Sequence, residues 1–160
     1  MQKKSTATHF SDTSNGITKK PYQHNKEPDF NHPHSVSSAV IMVVEDDALN
    51  QEIARKVITN LGYTVIVASN GQEGMDKLAS VDIDLILMDM QMPVMDGLET
   101  TRCLRREGYQ LPILGFTANT SVEGHQACFD AGMHGVLTKP IQIDNLSNAL
   151  DQFLQIDRVS

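Results

Sequence analysis

The chain has 160 residues, 40% of them hydrophobic and 21% charged, and a formal net charge of −7. That is one ordinary domain's length with enough apolar residues for a core, which excludes wholesale disorder. No apolar run approaches the ~20 residues of a membrane span, and Lys3-Lys4 leads into polar residues rather than a signal-peptide core. Two cysteines, Cys103 and Cys128, are too few for a disulfide scaffold, so a cytoplasmic location is the simpler expectation. An acidic chain is a poor binder of nucleic acid or anionic membranes, and neither is expected as a partner.

The charge is unevenly spread. Residues 1–38 carry five lysines against three acids, whereas the rest carries eight basic residues against 17 acids. Residues 1–38 also hold three of the six prolines and scattered single apolar residues without a strand or helix period. This composition predicts a disordered tail or linker. His32 and His34 lack partners at a zinc-site spacing and read as solvated side chains.

From Ala39 the pattern changes. Residues 39–44 (AVIMVV) form an unalternated β-branched run, the mark of a strand buried on both faces, and end in Glu45-Asp46-Asp47. Leu49, Ile53, Val57 and Leu61, each four apart, predict a helix with a core-facing stripe, capped by Asp47 and closed by Gly62. A second strand, Thr64 to Ala68, turns at Ser69-Asn70-Gly71 into a short helix from about Gln72 to Ala79. The third strand, Leu85 to Met88, ends at Asp89, and Asp96 and Glu99 have capping-box spacing for a helix toward Arg106. The fourth, Ile113 to Phe116, ends at Thr117 and precedes a helix around Glu123 to Ala131. The fifth, near Gly135 to Leu137, ends at Thr138-Lys139-Pro140, and a last helix carries Ile143, Leu146, Leu150 and Phe153. Arg102, Arg105 and Arg106 read as a solvated face that complements a helix C-terminus.

Five strand–helix units in succession predict an α/β fold, a doubly wound (βα)5 flavodoxin-like three-layer sandwich with a five-stranded parallel sheet. In such folds the functional crevice lies beyond the carboxyl ends of the strands. Glu45, Asp46, Asp89, Thr117 and Lys139 all fall there. Carboxylates ~4 Å apart at an effective dielectric near 20 repel by about 4 kcal/mol, so they call for a proton or a divalent cation between them. Hard oxygen ligands at an open crevice suit Mg²⁺. Asp89 is then a candidate nucleophile for an acyl phosphate, with the Lys139 ammonium and Thr117 hydroxyl as partners of the phosphoryl oxygens.

At this point VVEDD, DLILMDMQMPVMDG, ILGFTAN and TKPI together resemble the receiver domain of bacterial response regulators, over residues 39–156. The wording of MDMQMPVMDG, with the helix openings ALNQEIA and NGQEGMDKL, is most similar to receivers of hybrid sensor histidine kinases. The resemblance implies two-component or phosphorelay signalling, in which Mg²⁺ supports transfer from phosphohistidine to Asp89. The chain is then a signalling phosphoacceptor rather than an enzyme acting on another substrate. It further implies Asp46 as a direct metal ligand, Glu45 as one acting through water, the Gln91 carbonyl in the metal shell, and a cis Lys139–Pro140 peptide. Gln91 and Asn119 match positions that tune dephosphorylation. The implied partners are a sensor histidine kinase and a histidine phosphotransfer protein. One position departs: Val136 stands where the family often carries an aromatic that moves with the threonine.

Of three rival readings, two fail on the sequence and one stands. A haloacid-dehalogenase-type phosphohydrolase needs a second aspartate where Gln91 stands, and a flavin carrier needs a phosphate loop where three acids stand. The third is a receiver-like interaction module that does not turn over phosphate. No output domain is recognisable beyond residue 156, and residues 157–160 are expected to be a plain C-terminal end. A stand-alone regulator and a segment of a hybrid kinase both fit.

Overall fold

The computed structural model describes residues 38–154, so the tail expected over 1–37, His32 and His34 within it, and residues 155–160 lie outside the described residues. Its elements run β1 (Val40–Val44), α1 (Ala48–Asn60), β2 (Thr64–Ala68), α2 (Gly71–Leu78), β3 (Leu85–Asp89), α3 (Gly97–Arg106), β4 (Ile113–Thr117), α4 (Val122–Ala131), β5 (Gly135–Thr138) and α5 (Ile143–Leu154). The strands form one parallel sheet in the order β2-β1-β3-β4-β5. This is the expected (βα)5 sandwich, and the strand order reverses between β1 and β3.

Both faces of the sheet are covered, which is why the strands read as continuous apolar runs. Met42, Val44, Ile86, Met88 and Ile113 pack with Leu78, Leu104 and Cys128 of α2, α3 and α4. Ile41, Val43, Leu85, Leu87 and Leu114 pack with Ala54 and Ile58 of α1 and Leu146 and Leu150 of α5. Four helices start on the side-chain caps their sequences offer: Asp47, Asn70, Asp96 and Ser121 each accept the amide three residues on. Gly62 and Gly132 close α1 and α4 with φ of 96° and 108°, a conformation that favours glycine.

The core stripe of α1 differs from its expected line. Leu49 is 69% and Ile53 44% exposed, whereas Ala54 and Ile58 are buried and Val57 and Leu61 pack partly against them. At 3.6 residues per turn each four-residue step overshoots by about 40°, so residues spaced only by four drift off the face they start on. The buried set instead follows the i, i+3, i+4, i+7 pattern. In α5, Leu146 and Leu150 are buried while Ile143 is 57% exposed.

Within the arginine cluster, Arg102 and Arg106 are exposed as expected, but Arg105 differs. Arg105 is no solvated side chain: its guanidinium donates to the Gly132 carbonyl at 2.9 and 2.8 Å and to the Tyr109 carbonyl at 2.8 Å. The last turn of α3 lies against the end of α4, where orphan carbonyls need donors. Arg105 thus clasps two helix termini. Beside it, His134 Nδ1 faces Arg105 Nη2 at 3.2 Å and accepts the Ile113 amide at 3.3 Å. Burial, and then the Arg105 charge, hold the imidazole below the usual histidine value.

Two outcomes follow from this clasp. Arg105→Ala leaves two carbonyls without their donors and lowers stability by about 1–3 kcal/mol, measured by urea unfolding. A histidine depressed in the folded state contributes stability that is present above the unfolded value near 6.5 and falls as pH drops below it. Between pH 7.5 and 5.5, roughly the window around that value, the native chain loses more stability than His134→Gln does in the same titration.

Candidate functional site

Parallel strands deliver their carboxyl ends to one edge, so residues far apart in sequence meet there. Asp89 and Thr117 are the last residues of β3 and β4, while Glu45 follows β1 and Lys139 follows β5. Glu45, Asp89 and Thr117 are buried, at 2%, 3% and 5% exposure, and Asp46 beside them is exposed. Carboxylate oxygens of Glu45, Asp46 and Asp89 all lie within 4.8 Å of one another.

Lys139 answers that concentration of charge. Its Nζ stands 3.1 Å from Asp89 Oδ1 and 3.2 Å from Glu45 Oε2. Burial lowers the lysine's pKa, but the hydrogen bonds and charges of Asp89 and Glu45 outweigh it and raise Lys139 above its usual value. Burial, countered by the Asp47 amide and then reinforced by the Asp89 charge, raises the Glu45 carboxyl above its own. Desolvation therefore favours the neutral acid at Glu45, and a second positive charge among the carboxylates would relieve it.

Backbone groups fix the remaining geometry. The Gln91 amide donates to Asp89 Oδ1 at 3.1 Å, and the Asp47 amide donates to Glu45 Oε1 at 3.2 Å. Thr117 Oγ1 accepts the Asn119 amide at 3.0 Å, and Asn119 Oδ1 accepts the Ser121 amide at 2.9 Å. The Lys139–Pro140 peptide is cis, as the resemblance implies, and the Lys139 amide donates to the Thr117 carbonyl at 2.8 Å. Glu45, Asp46, Asp89 and Lys139 therefore converge. Thr117 ends the neighbouring strand, and Gln91 lies exposed on the loop after Asp89. Val136 sits half-buried on the α2–α4 side of the sheet.

Three supporting residues stand outside the expected site set. Gln51 on α1 donates its side-chain amide to the Glu45 carbonyl at 2.6 Å, tying the acidic loop to the helix that follows it. Phe116, 6% exposed, lies with its ring centroid 5.2 Å from Lys139 Nζ. Gly97 lets α3 approach the end of β3: a Cβ there would sit 2.3 Å from the Asp89 carbonyl oxygen. Glycine after Asp96 is itself a turn signal, whereas nothing local marks Gln51 or Phe116.

The donor set fits a hard divalent cation: three carboxylates within one ion's reach, one of them open to solvent. The comparisons with known proteins agree with this geometry. Residues 41–151 match the family described as the response regulator receiver domain. The chain belongs to that family. It is 38% identical over 120 residues to the hybrid signal transduction protein dokA of Dictyostelium discoideum, covering 73% of this chain and 7% of dokA. It is 34% identical over 121 residues to the sensor histidine kinase RcsC of Escherichia coli strain K12, covering 76% of this chain and 13% of RcsC. The chain thus spans a small part of the curated relatives it matches. Among solved structures, the receiver domain of the sensor histidine kinase PA1611 of Pseudomonas aeruginosa aligns with a TM-score of 0.69 at 31% identity. That alignment covers 74% of this chain and 99% of the neighbour, which is described with a magnesium ion coordinated in its active-site cleft. This receiver domain is a signalling domain of the kind found in hybrid histidine kinases.

Gly97→Ala drives a methyl group into the backbone of the Asp89 peptide and shifts either α3 or the end of β3. The expected loss is about 1–3 kcal/mol of stability by urea unfolding, with altered amide shifts at Asp89 and Met90 in NMR spectra.

Proposed function

We propose that this domain accepts a phosphoryl group from phosphohistidine onto Asp89 and relays or reports that event to a partner protein. The observation that carries the reading is the Lys139 ammonium bridging buried Asp89 and Glu45, with Thr117 at the adjacent strand end. An Asp89 carboxylate oxygen attacks phosphorus in line with the departing imidazole. The P–O bond forms as the P–N bond breaks, and the imidazole keeps the electron pair and takes a proton from solvent. The chain supplies position and charge rather than covalent chemistry of its own.

Mg²⁺ held by Glu45, Asp46, Asp89 and the Gln91 carbonyl would neutralise charge on the phosphoryl oxygens. Lys139 exchanges its bond to Asp89 Oδ1 for a phosphoryl oxygen, and the Thr117 hydroxyl donates to another. Each such charge-assisted bond is worth about 1.5–3 kcal/mol, and the acquired phosphoryl brings a charge near −2. Gln91 and Asn119 flank the phosphorylated position and govern access of water to the acyl phosphate. The donor is a sensor histidine kinase, and a histidine phosphotransfer protein is the recipient where the phosphoryl moves on. On this reading the domain is a substrate of its own transfer and not an enzyme acting on a third molecule, and it works in the cytoplasm. The rival, an interaction module without phosphate turnover, gives no role to a half-buried lysine shared by two buried carboxylates.

Two experiments test this. The chain incubated with phosphoramidate and Mg²⁺ gains the mass of one phosphoryl group, and Asp89→Asn gains none; uptake by that variant at wild-type extent overturns the assignment. Mg²⁺ at 100 times its Kd stabilises the chain by about 2.7 kcal/mol in thermal or urea unfolding. Asp46→Ala removes most of that increment, and an increment unchanged in the variant places the metal elsewhere.

A further inference from the structure

The aromatic ring that contacts the site lies on the opposite side of the sheet from Val136. Phe116 belongs to the core shared by β1, β3, β4, α1 and α5, whereas Val136 packs into the core under α2, α3 and α4. The Phe116 ring is tied to the site through Lys139, whose Nζ stands 5.2 Å from the ring centroid. The same ammonium is held by Asp89 at 3.1 Å and Glu45 at 3.2 Å. Its position is therefore set by two carboxylates and one ring, and any change at Asp89 alters that balance. Phe116 also forms a wall of a groove with Asn50 and Ile53 of α1 and with Lys139, Pro140 and Ile141 after β5. Ile53 is 44% exposed at this groove, so α1 meets it with a side chain that the core does not hold.

We infer that Phe116 is a positioning residue that holds the Lys139 ammonium and couples the state of Asp89 to the groove between α1 and the β5–α5 connection. This rests on the proposed chemistry of Asp89 and adds a route out of the site that needs no aromatic at position 136. A new anion on Asp89 draws the ammonium toward itself. The ring, attracted to that cation by its quadrupole, must follow it or lose the contact. Because the ring lines the same groove as Ile53 and Ile141, either response changes the groove lining. The energetic link is short: Asp89 to Lys139 and Lys139 to Phe116 are contacts already present, and Phe116 lines the groove itself.

The plainer view is that Phe116 only fills the core, and the test separates the two. Amide hydrogen exchange at Ile53 and Ile141 is measured in the full chain with Mg²⁺, before and after loading with beryllium fluoride as a phosphoryl analogue. Loading changes these exchange rates by about tenfold in the native chain. Phe116→Leu reduces that response to less than about twofold and slows phosphoryl uptake from phosphoramidate several-fold, while Phe116→Tyr, which keeps the ring, restores both. Val136→Ala leaves the response of Ile53 and Ile141 in place. A core filler would lower the urea midpoint of Phe116→Leu yet leave the loading response intact, and that result overturns the inference. So does a native chain that loads without any change at Ile53 and Ile141. A chain that binds neither phosphoryl nor the analogue fails at the earlier step and overturns the reading of Asp89 together with this one.

Discussion

Like charges brought to one edge of a parallel sheet govern everything else in this domain. Glu45 and Asp89 are nearly inaccessible to water, and Asp46 completes a set of carboxylates within 4.8 Å. At such separations the repulsion is worth several kcal/mol even at an effective dielectric near 20. The fold supports that cost because Lys139, brought in from the far end of the sheet, shares its ammonium between two of the acids. The arrangement is balanced rather than relaxed: burial pushes both the lysine and the glutamate toward their neutral forms, and the charges around them oppose it at the lysine. A site poised in this way responds strongly to a change of charge at Asp89, which is what a phosphorylation switch requires.

The fold was largely legible because each of its strands is covered on both faces and reads as a plain apolar run. Asp89, Thr117 and Lys139 were legible for the same reason, since the end of each run fixes which polar residue reaches the carboxyl edge. The faces of the helices were not. A spacing of four residues suggested Leu49 and Ile53 as core, but helical drift carries the stripe to Ala54 and Ile58. Arg105 was misread because its acceptors, the carbonyls of Gly132 and Tyr109, are defined by how α3 ends against α4 and carry no side-chain signature. Phe116 and Gln51 escaped notice because their roles are contacts made across the sequence by residue types common in any core or helix.

The receiver family defines the outline of this domain, and Val136 is the position where this chain departs from the resemblance. Val136 leaves the α4 side of the sheet without the ring often found there, and Phe116 places a ring on the α1 side against the lysine. The two residues lie on neighbouring strands and pack on opposite faces of the sheet. On the proposed coupling, the consequences of phosphorylation run toward α1 and the β5–α5 connection. That same region carries the exposed apolar residues Leu49 and Ile53.

The most direct test of the central claim is phosphorus NMR of the Mg²⁺-saturated chain after addition of phosphoramidate. The account predicts one protein-bound resonance of an acyl phosphate, erased by hydroxylamine. No protein-bound signal, or one that resists hydroxylamine as a phosphoserine ester does, would contradict it.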